Sequence, residues 1–189
     1  MAFKTLQFVS GQTWIQRIQN LETFDQTDQI LLAGYHSYAG GFVPASMSAG
    51  GTDTTGIATQ FWLSELRIIG NQQINGLAYL IGSVGGTDKA IVALYDVNGN
   101  LLANSALAGT TVGTASTFQR IAFVTPYQAS AGKYYVMVST NGTTAHIQTQ
   151  IAGNHDCGVL TAQTFGTLTT PITPPSTFTA SQGPIVMTY

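Results

Sequence analysis

The sequence predicts an all-β protein, a jelly-roll-like antiparallel β-sandwich with an extended N-terminal arm. Three observations favour this fold. Thr, Ser, Gln and Asn supply 62 of the 189 residues, and Thr, the commonest of the four, is β-branched and favours strands. Charged residues make up only 7% of the chain, so side chains that favour surface helices are scarce. Short apolar runs alternate with turn residues at intervals of roughly 8–14 residues, which is typical of a sandwich.

Residues 1–58 differ from the rest of the chain, and we expect an arm or anchor segment with little regular structure there. Residues 13–24 have a weak helical rhythm of apolar side chains, and residues 30–33 are compatible with one strand. From Gly34 to Gly56 the sequence is rich in Ser, Gly and Thr, which is typical of a linker, an extended arm or a long surface loop.

Residues 59–189 carry dense strand signals and form the predicted sandwich domain. Candidate strands cover residues 61–69, 74–81, 89–95, 101–106, 118–125, 132–140, 145–151, 159–165 and 185–189. The strand at 89–95 is apolar at both parities, which is typical of a strand covered on both faces. Asn98-Gly99 and Asn141-Gly142 each predict a tight turn followed by a return strand. No strong helix interrupts the series, which disfavours parallel βαβ folds and leaves other Greek-key sandwiches as alternatives to the jelly roll.

The charge of the chain disfavours nucleic-acid and membrane partners. The net charge is −2, and the six basic residues are dispersed, whereas nucleic-acid binding requires a clustered basic face. Apolar runs are about half a dozen residues long, too short for a bilayer, and no segment has the pattern of a basic amphipathic helix. The N-terminus lacks a signal-peptide pattern and the single Cys157 allows no intrachain disulfide, so we expect synthesis in a cytoplasm.

The same scarcity of charge predicts self-association. Interspersed charges keep the surface of a free monomer soluble, and this chain has few of them. A subunit whose surface is buried in an oligomer or a lattice does not need them. We therefore expect a homo-oligomer.

Carboxylate pairs offer little sign of catalysis. A glycosidase needs two facing carboxylates, and Glu65 could meet Asp96 or Asp156 in space, although no spacing indicates it. The segment Asp96 to Asn100 resembles the start of a calcium loop but lacks the later acidic ligands, and a hairpin turn explains it. Asp is common in turns, so we interpret these side chains as turn formers and exposed polar groups.

A second cluster, His155-Asp156-Cys157, contains the residue types of a nucleophile site, but only as neighbours in the sequence. Adjacent residues on a strand point to opposite faces and cannot form a relay. His155 and Cys157 could share a face as zinc ligands, but a structural zinc needs four, and His36 and His146 show no pairing pattern. We therefore predict no catalytic residue, no cofactor and no metal, and a protein that is not an enzyme.

One loop segment carries a binding hypothesis. Tyr35, Tyr38 and Phe42, with His36 beside them, could form an aromatic surface for a sugar or a protein partner. The alternative is an apolar plug that packs into the protein's own core or into a neighbouring subunit. We favour the plug, because apolar loop residues usually pack locally.

The strand and turn motifs of roughly residues 60–189 resemble a known family. The stretches concerned are Ala90–Ser105, Ser116–Phe123, Gly132–Val138, Asn141–Ala145, Pro174–Phe178 and Gly183–Tyr189. They look like a β-sandwich module of tailed-bacteriophage virion proteins, namely small head-decoration, head-fibre or tail-associated proteins. The motifs are shared in part with carbohydrate-binding jelly rolls.

The resemblance implies a structural subunit of a virion, made in the host bacterial cytoplasm, with no catalytic residues. It also implies a homotrimer of jelly-roll modules that contacts the major capsid protein or other virion proteins, with residues 1–58 as the anchor. The alternative is a receptor- or glycan-binding module of a tail fibre or spike, which would present exposed aromatic residues, Tyr35 and Tyr38 or Tyr79 and Tyr95, on one sheet face or rim. A more distant third interpretation is a hydrolase on a β-sandwich.

Overall fold

The computed structural model describes residues 51–151 and 155–189, and these residues form eleven β-strands and no helix. The strands are β1 (Gly51–Thr55), β2 (Phe61–Ile68), β3 (Gln72–Leu80), β4 (Lys89–Tyr95), β5 (Leu101–Asn104), β6 (Thr110–Thr111), β7 (Phe118–Ala129), β8 (Gly132–Thr140), β9 (His146–Gln150), β10 (Cys157–Leu160) and β11 (Val186–Thr188). All paired strands are antiparallel. The prediction of an all-β, antiparallel sandwich is confirmed, and the jelly-roll topology stays a prediction.

The strands form two layers. The central sheet has the order β10-β2-β8-β4-β5, with β6 beside β4. The outer layer contains β11-β3-β7, and the β1-β9 pair joins it through bridges from Ile81 to Ile147 and from Thr149 to Pro184. Strands that follow one another, such as β2, β3 and β4, alternate between the layers. Side chains of both layers share one apolar cluster, so the layers pack face to face.

The core between the layers consists of large aliphatic side chains at alternate strand positions. Leu66, Leu94 and Val136 from the central sheet contribute to it, with Leu77 and Ile121 from the outer layer, and all are buried. Removing each such side chain from water contributes roughly 1.5–3 kcal/mol. This core fixes the relative position of the two layers and therefore of the polar clusters at their edges.

The other face of the central sheet is covered by an irregular segment, residues 160–175, which we name the C-terminal strap. Ile91 and Tyr95 of β4 pack there in a second apolar cluster with Ile172 and Phe165 of the strap. The Tyr95 hydroxyl donates a hydrogen bond to the strap carbonyl of Thr169 at 3.2 Å. The prediction that residues 89–95 are covered on both faces is confirmed.

Of the two predicted Asn-Gly turns, only one closes a hairpin. Asn98-Gly99 joins β4 to β5, and Gly99 has the positive φ of +81° that such a turn requires. Asn141-Gly142 instead leads the chain from β8 in the central sheet to β9 in the outer layer. The strand predicted over 145–151 is present as β9, but the expectation that it returns beside β8 is wrong. The Asp88 carboxylate holds this crossing by accepting the backbone N–H groups of Thr144 and Ala145, both at 2.8 Å.

Regular structure begins earlier than the sequence predicted. Residues 51–55 lie in the predicted arm and in a segment expected to be loop, yet they form β1 and pair along their whole length with β9. No side chain of this strand is apolar, so hydrophobic alternation could not reveal it. The other predictions for the arm, a helix over 13–24 and a strand over 30–33, lie outside the described residues.

Candidate functional site

The Asp and Glu side chains of the described residues are used internally. The described residues include five carboxylates, and each accepts hydrogen bonds from the protein itself. Two of them cap turns, Asp88 as described above and Asp96 at the β4-β5 hairpin. Asp96 Oδ1 accepts the backbone N–H of Asn98 and of Asn100, both at 2.8 Å. The calcium-like sequence is therefore a self-contained hairpin turn.

The largest group of charges surrounds Lys133, and we name it the Lys133 cluster (Glu65, Arg67, Lys133, Tyr135 and Asp156). Glu65 and Arg67 lie on β2, Lys133 and Tyr135 on its neighbour β8, and Asp156 directly before β10 on the other side of β2. Lys133 Nζ lies 2.5 Å from Asp156 Oδ2 and 3.2 Å from Glu65 Oε2. The Asp156 N–H donates to Glu65 Oε2 at 3.0 Å, and Arg67 Nε donates to Glu65 Oε1 at 2.8 Å. Three adjacent strands thus meet at one lysine.

Electrostatics favours the ionised forms of Glu65 and Lys133. Burial raises the pKa of Glu65, but the Asp156 N–H and the Lys133 ammonium outweigh burial and hold that pKa below its usual value. Burial lowers the pKa of Lys133, while its contacts with Asp156, Tyr135 and Glu65 raise it well above its usual value. Glu65 and Asp156 do meet, as the sequence allowed. A glycosidase acid must keep its proton near neutral pH, however, and the surroundings of Glu65 favour its loss.

His155 and Cys157 are buried beside this cluster without forming a site together. The His155 ring is 7% exposed, neither ring nitrogen has a hydrogen-bond partner, and the ring packs edge-on against Phe178 at 5.4 Å. Burial lowers the pKa of His155 and raises the pKa of the Cys157 thiol. Cys157 Sγ donates to the carbonyl of Thr179 at 3.3 Å. This thiol is therefore a packing residue and a poor nucleophile.

A second polar group, which the sequence did not reveal, lies on the outer layer. We name it the His146 cluster (Asp53, Thr55, Ser83 and His146). His146 Nδ1 lies 2.7 Å from Asp53 Oδ2, and the backbone N–H of Ser83 donates to Asp53 Oδ1 at 2.7 Å. The Ser83 hydroxyl also donates to Asp53. These contacts tie β1 and β9 to the loop that follows β3.

The His146 cluster contains Asp, His and hydroxyl groups, and they follow the order of a catalytic triad only if Thr55, and not Ser83, is taken as the hydroxyl. In a triad the carboxylate holds Nδ1 and the nucleophile hydroxyl faces Nε2. Here the Ser83 hydroxyl lies on the Asp53 side, 3.4 Å from Nδ1, and Nε2 faces Thr55 Oγ1 at 3.3 Å. Neighbouring backbone donors are engaged, because Gly56 N–H bonds to Ala145 O and Ser83 N–H bonds to Asp53. The arrangement is suited to fixing an edge strand.

Sequence reasoning missed this cluster because its members are far apart in the chain. Asp53 and His146 are separated by 93 positions, and Ser83 lies between them. Only the pairing of β1 with β9 brings them together. One signal was available: His146 is one of the few ionisable residues of the chain and lies in a predicted strand, which makes it a candidate for an internal tie.

The predicted aromatic site is not tested by this structure. Tyr35, Tyr38 and Phe42 lie outside the described residues. The expectation that Tyr79 and Tyr95 would be exposed on a sheet face is wrong, because both side chains are fully buried and burial raises their pKa values far above the usual range. Both were placed on strands correctly, but they occupy the covered faces of those strands.

A groove of about 290 Å³ runs beside β10 and the strap. Its walls include Leu63, Val159, Pro174, Pro175 and Gln182, and no carboxylate, histidine or basic residue lines it. Within the described residues no group of three or more His, Cys, Asp or Glu side chains could hold a metal ion. The hydrolase interpretation therefore finds no converging carboxylates in this groove.

Comparison of the chain with protein-family models, with curated proteins and with solved structures finds no match. None of the described residues forms a helix that is long and apolar enough to cross a membrane.

Proposed function

We propose that the chain is a non-enzymatic structural protein of a bacteriophage virion, most simply a capsid decoration or cement protein or a head-fibre subunit. In this proposal it assembles as a homo-oligomer, with a trimer favoured, and contacts the major capsid protein or other virion proteins. The observation that carries the proposal is the internal use of every described carboxylate. The described surface therefore carries few charges that are not engaged within the protein.

Such a surface suits burial against other subunits. Interspersed surface charge normally opposes association, and the described residues carry four basic side chains, of which Lys133 and Arg67 are already paired. Large apolar side chains are exposed as well, with Val124 at 69% and Ile69 at 63%. Isolated exposed apolar residues are ordinary in a monomer. Together with a nearly neutral surface, they favour contacts with copies of the chain or with other virion proteins.

The oligomer is tested by sedimentation velocity and native mass spectrometry on the full-length protein. We expect a trimer that persists at micromolar concentration. A protein that stays monomeric over the whole accessible concentration range contradicts the assembly proposal. Substituting Val124→Lys, with Val97→Lys in the β4-β5 turn as a matched exposed control, shows whether the β7 surface takes part.

The virion location is tested with particles produced from the genome that encodes the chain. Labelling with an antibody and electron microscopy should place the protein on heads or tails, and its absence from purified particles contradicts the proposal. A variant without residues 1–50 retains β1 and tests the anchor. We expect it to fold and to fail to join the particle; assembly of the truncated protein would contradict the anchor role.

The alternative function, receptor or glycan binding at a tail fibre or spike, now depends on fewer residues. Tyr79 and Tyr95 are unavailable to a ligand because they are buried. Tyr35, Tyr38 and Phe42 remain as candidates for it. Glycan-array binding that is lost on Tyr35→Ala and Tyr38→Ala would favour this alternative over a purely structural role.

A further inference from the structure

We propose that Lys133 and Asp156 join through a side-chain amide bond, with Glu65 as the residue that moves the protons. Three groups of the right chemistry meet at one point: an amine, a carboxyl group that can accept it, and a second carboxylate in contact with the amine. Lys133 Nζ is 2.5 Å from Asp156 Oδ2 and 3.2 Å from Glu65 Oε2. The inference concerns chemistry within one chain and does not depend on the proposed virion role.

The strands hold these groups in place. β2, which carries Glu65, lies between β8, which carries Lys133, and β10, which Asp156 directly precedes. The Asp156 N–H donates to Glu65 Oε2 at 3.0 Å, so the backbone of the acceptor residue is tied to the proton carrier. The Tyr135 hydroxyl lies 3.4 Å from Asp156 Oδ2 and donates to the strap carbonyl of Pro175 at 3.0 Å.

Glu65 is shielded from water, and the two reacting side chains are partly shielded. The side chain of Glu65 is 6% exposed, that of Asp156 is 24% exposed and that of Lys133 is 28% exposed. The Lys133 ammonium also lies 5.1 Å from the centre of the Tyr135 ring. Partial burial strengthens the interactions among the three groups and limits competition by solvent.

The reaction is a condensation that needs no external oxidant or co-reactant. Glu65 takes a proton from the Lys133 ammonium and passes it to the Asp156 carboxylate, which leaves a neutral amine beside a carboxylic acid. The amine nitrogen attacks the acid carbon, a carbon–nitrogen bond forms, and a carbon–oxygen bond breaks to release water. One ammonium and one carboxylate thus become one amide and one water molecule, and Glu65 is regenerated as a carboxylate.

Proximity is the main driving effect. Well-oriented intramolecular groups react as if at concentrations of roughly 10⁵–10⁸ M, which favours an amide that free amines and carboxylates in water do not form. Lys133 is charged at rest, so proton transfer through Glu65 precedes attack and makes the step slow. A slow step suffices, because each molecule needs to react only once after folding.

The first test is the intact mass of the full-length, denatured protein. We expect the wild-type protein to be lighter than its sequence mass by one water molecule, and Lys133→Arg and Glu65→Gln to keep the full sequence mass. The matched control Lys89→Arg alters the other lysine of the described strands and should still show the loss. Removal of Met1 would shift all variants equally, so the comparison among them remains valid.

The second test locates the bond. Trypsin requires a free lysine side chain, so an unlinked protein gives separate fragments 121–133 and 134–189, whereas the linked protein gives one fragment, 121–189, that is lighter by one water molecule. Circular dichroism of Glu65→Gln checks that it folds. A wild-type protein with full sequence mass and complete cleavage after Lys133, measured after prolonged incubation of the folded chain, overturns the proposal.

Discussion

The Lys133 cluster and the His146 cluster perform the same mechanical task in different surroundings. Each ties three segments of the chain through a carboxylate, a nitrogen base and backbone N–H groups. In the Lys133 cluster the central carboxylate, Glu65, has a side chain that is 6% exposed. In the His146 cluster the central carboxylate, Asp53, is 36% exposed. The first cluster lies at the edge of the core and the second faces water.

The contrast in burial predicts a contrast in energy. Removing one partner of a buried ion pair leaves an uncompensated charge, which costs roughly 3–5 kcal/mol. An exposed ion pair contributes roughly 0–1 kcal/mol, because water and salt replace it. The same kinds of side chain therefore stabilise the fold strongly in one place and only position a strand in the other.

The largest effect is expected from Lys133→Met. This substitution keeps most of the side-chain volume and removes the charge that pairs with Glu65 and Asp156. We expect a loss of about 3 kcal/mol, at the lower end of the buried range because Lys133 is partly exposed. Where the amide is present, the Lys133 ammonium no longer exists, and the substitution instead removes a link that restricts the unfolded chain, which costs roughly 2–4 kcal/mol. Urea unfolding measures the change.

Lys89→Met is the matched control for this prediction. Lys89 lies at the start of β4 and is exposed, and its described hydrogen bond is made by its backbone. We expect a change within about 0.5 kcal/mol. Equal effects of the two substitutions would show that the Lys133 cluster does not stabilise the fold through its charges.

The next effect is expected from Asp53→Ala in the exposed cluster. The variant loses the acceptor for the backbone N–H of Ser83 and the contact with His146. We expect a loss of about 1–2 kcal/mol, because the freed groups can turn to water. Hydrogen exchange should accelerate in β1 and leave β8 protected. A loss as large as that of Lys133→Met would contradict the contrast between the clusters.

Lowering the pH tests how much the ionised Asp53 carboxylate contributes to stability. The pKa of Asp53 is held below its usual value of 3.8, against the effect of burial, by its bonds to Ser83 and His146. A depressed pKa contributes stability above the unfolded value, and that contribution is lost as pH falls through the folded pKa. We therefore expect the difference between wild type and Asp53→Ala to shrink below about pH 4. Unfolding curves at stepwise lower pH check this.

Strands of the central sheet could be predicted well from the sequence, because the patterns that indicate them are local. β4 and β8 have the bounds that were predicted, since each is a continuous apolar run ended by turn residues. β1 could not be predicted, because Gly51-Thr-Asp-Thr-Thr55 contains no apolar side chain and becomes a strand only beside β9. The change of sheet after Asn141-Gly142 depends on Asp88, which lies more than fifty positions away. Whether a segment forms a strand depends mainly on the residues beside it in the sequence, whereas the strand with which it pairs depends on the whole chain.

The candidate sites show the same difference between what local sequence indicates and what depends on distant segments. The sequence allows Glu65 and Asp156 to meet in space, whereas nothing in it places Lys133 between them. The order β10-β2-β8 brings the three together, and no spacing in the sequence encodes that order. The burial of Tyr79 and Tyr95 has a similar cause, since the layer or strap that covers a strand is formed by distant segments.

His146 and His155 extend the comparison between the two clusters, because they differ in the partners of their ring nitrogens. His146 contacts partners with both ring nitrogens, whereas His155, next to Asp156, has partners at neither. Leucine has a similar volume and no polar group to desolvate, so we expect His155→Leu to raise stability at pH 7 by about 1 kcal/mol. Thermal unfolding measures this gain, and a clear loss would mean that the ring has a partner in solution.

The pH dependence of stability gives a second test of the buried state of His155. Burial holds its pKa below the usual 6.5 in the folded protein. The unfolded chain therefore takes up a proton first, so the wild type loses stability as pH falls from about 6.5 through the folded pKa. We expect His155→Leu to show a flatter profile in this range. Parallel profiles for the two proteins would contradict the buried, neutral state.

The smallest effect is expected from Arg67→Ala, and it separates the two cations that contact Glu65. Arg67 Nε lies closer to Glu65 than Lys133 Nζ does, at 2.8 Å against 3.2 Å, yet the Arg67 side chain is 76% exposed. Distance alone would rank Arg67 first, whereas burial ranks Lys133 first. We expect Arg67→Ala to cost less than about 0.5 kcal/mol, because an exposed guanidinium gains little from pairing. In a double-mutant cycle with Glu65→Gln, a coupling energy larger for Arg67 than for Lys133 would show that proximity, rather than burial, governs these clusters.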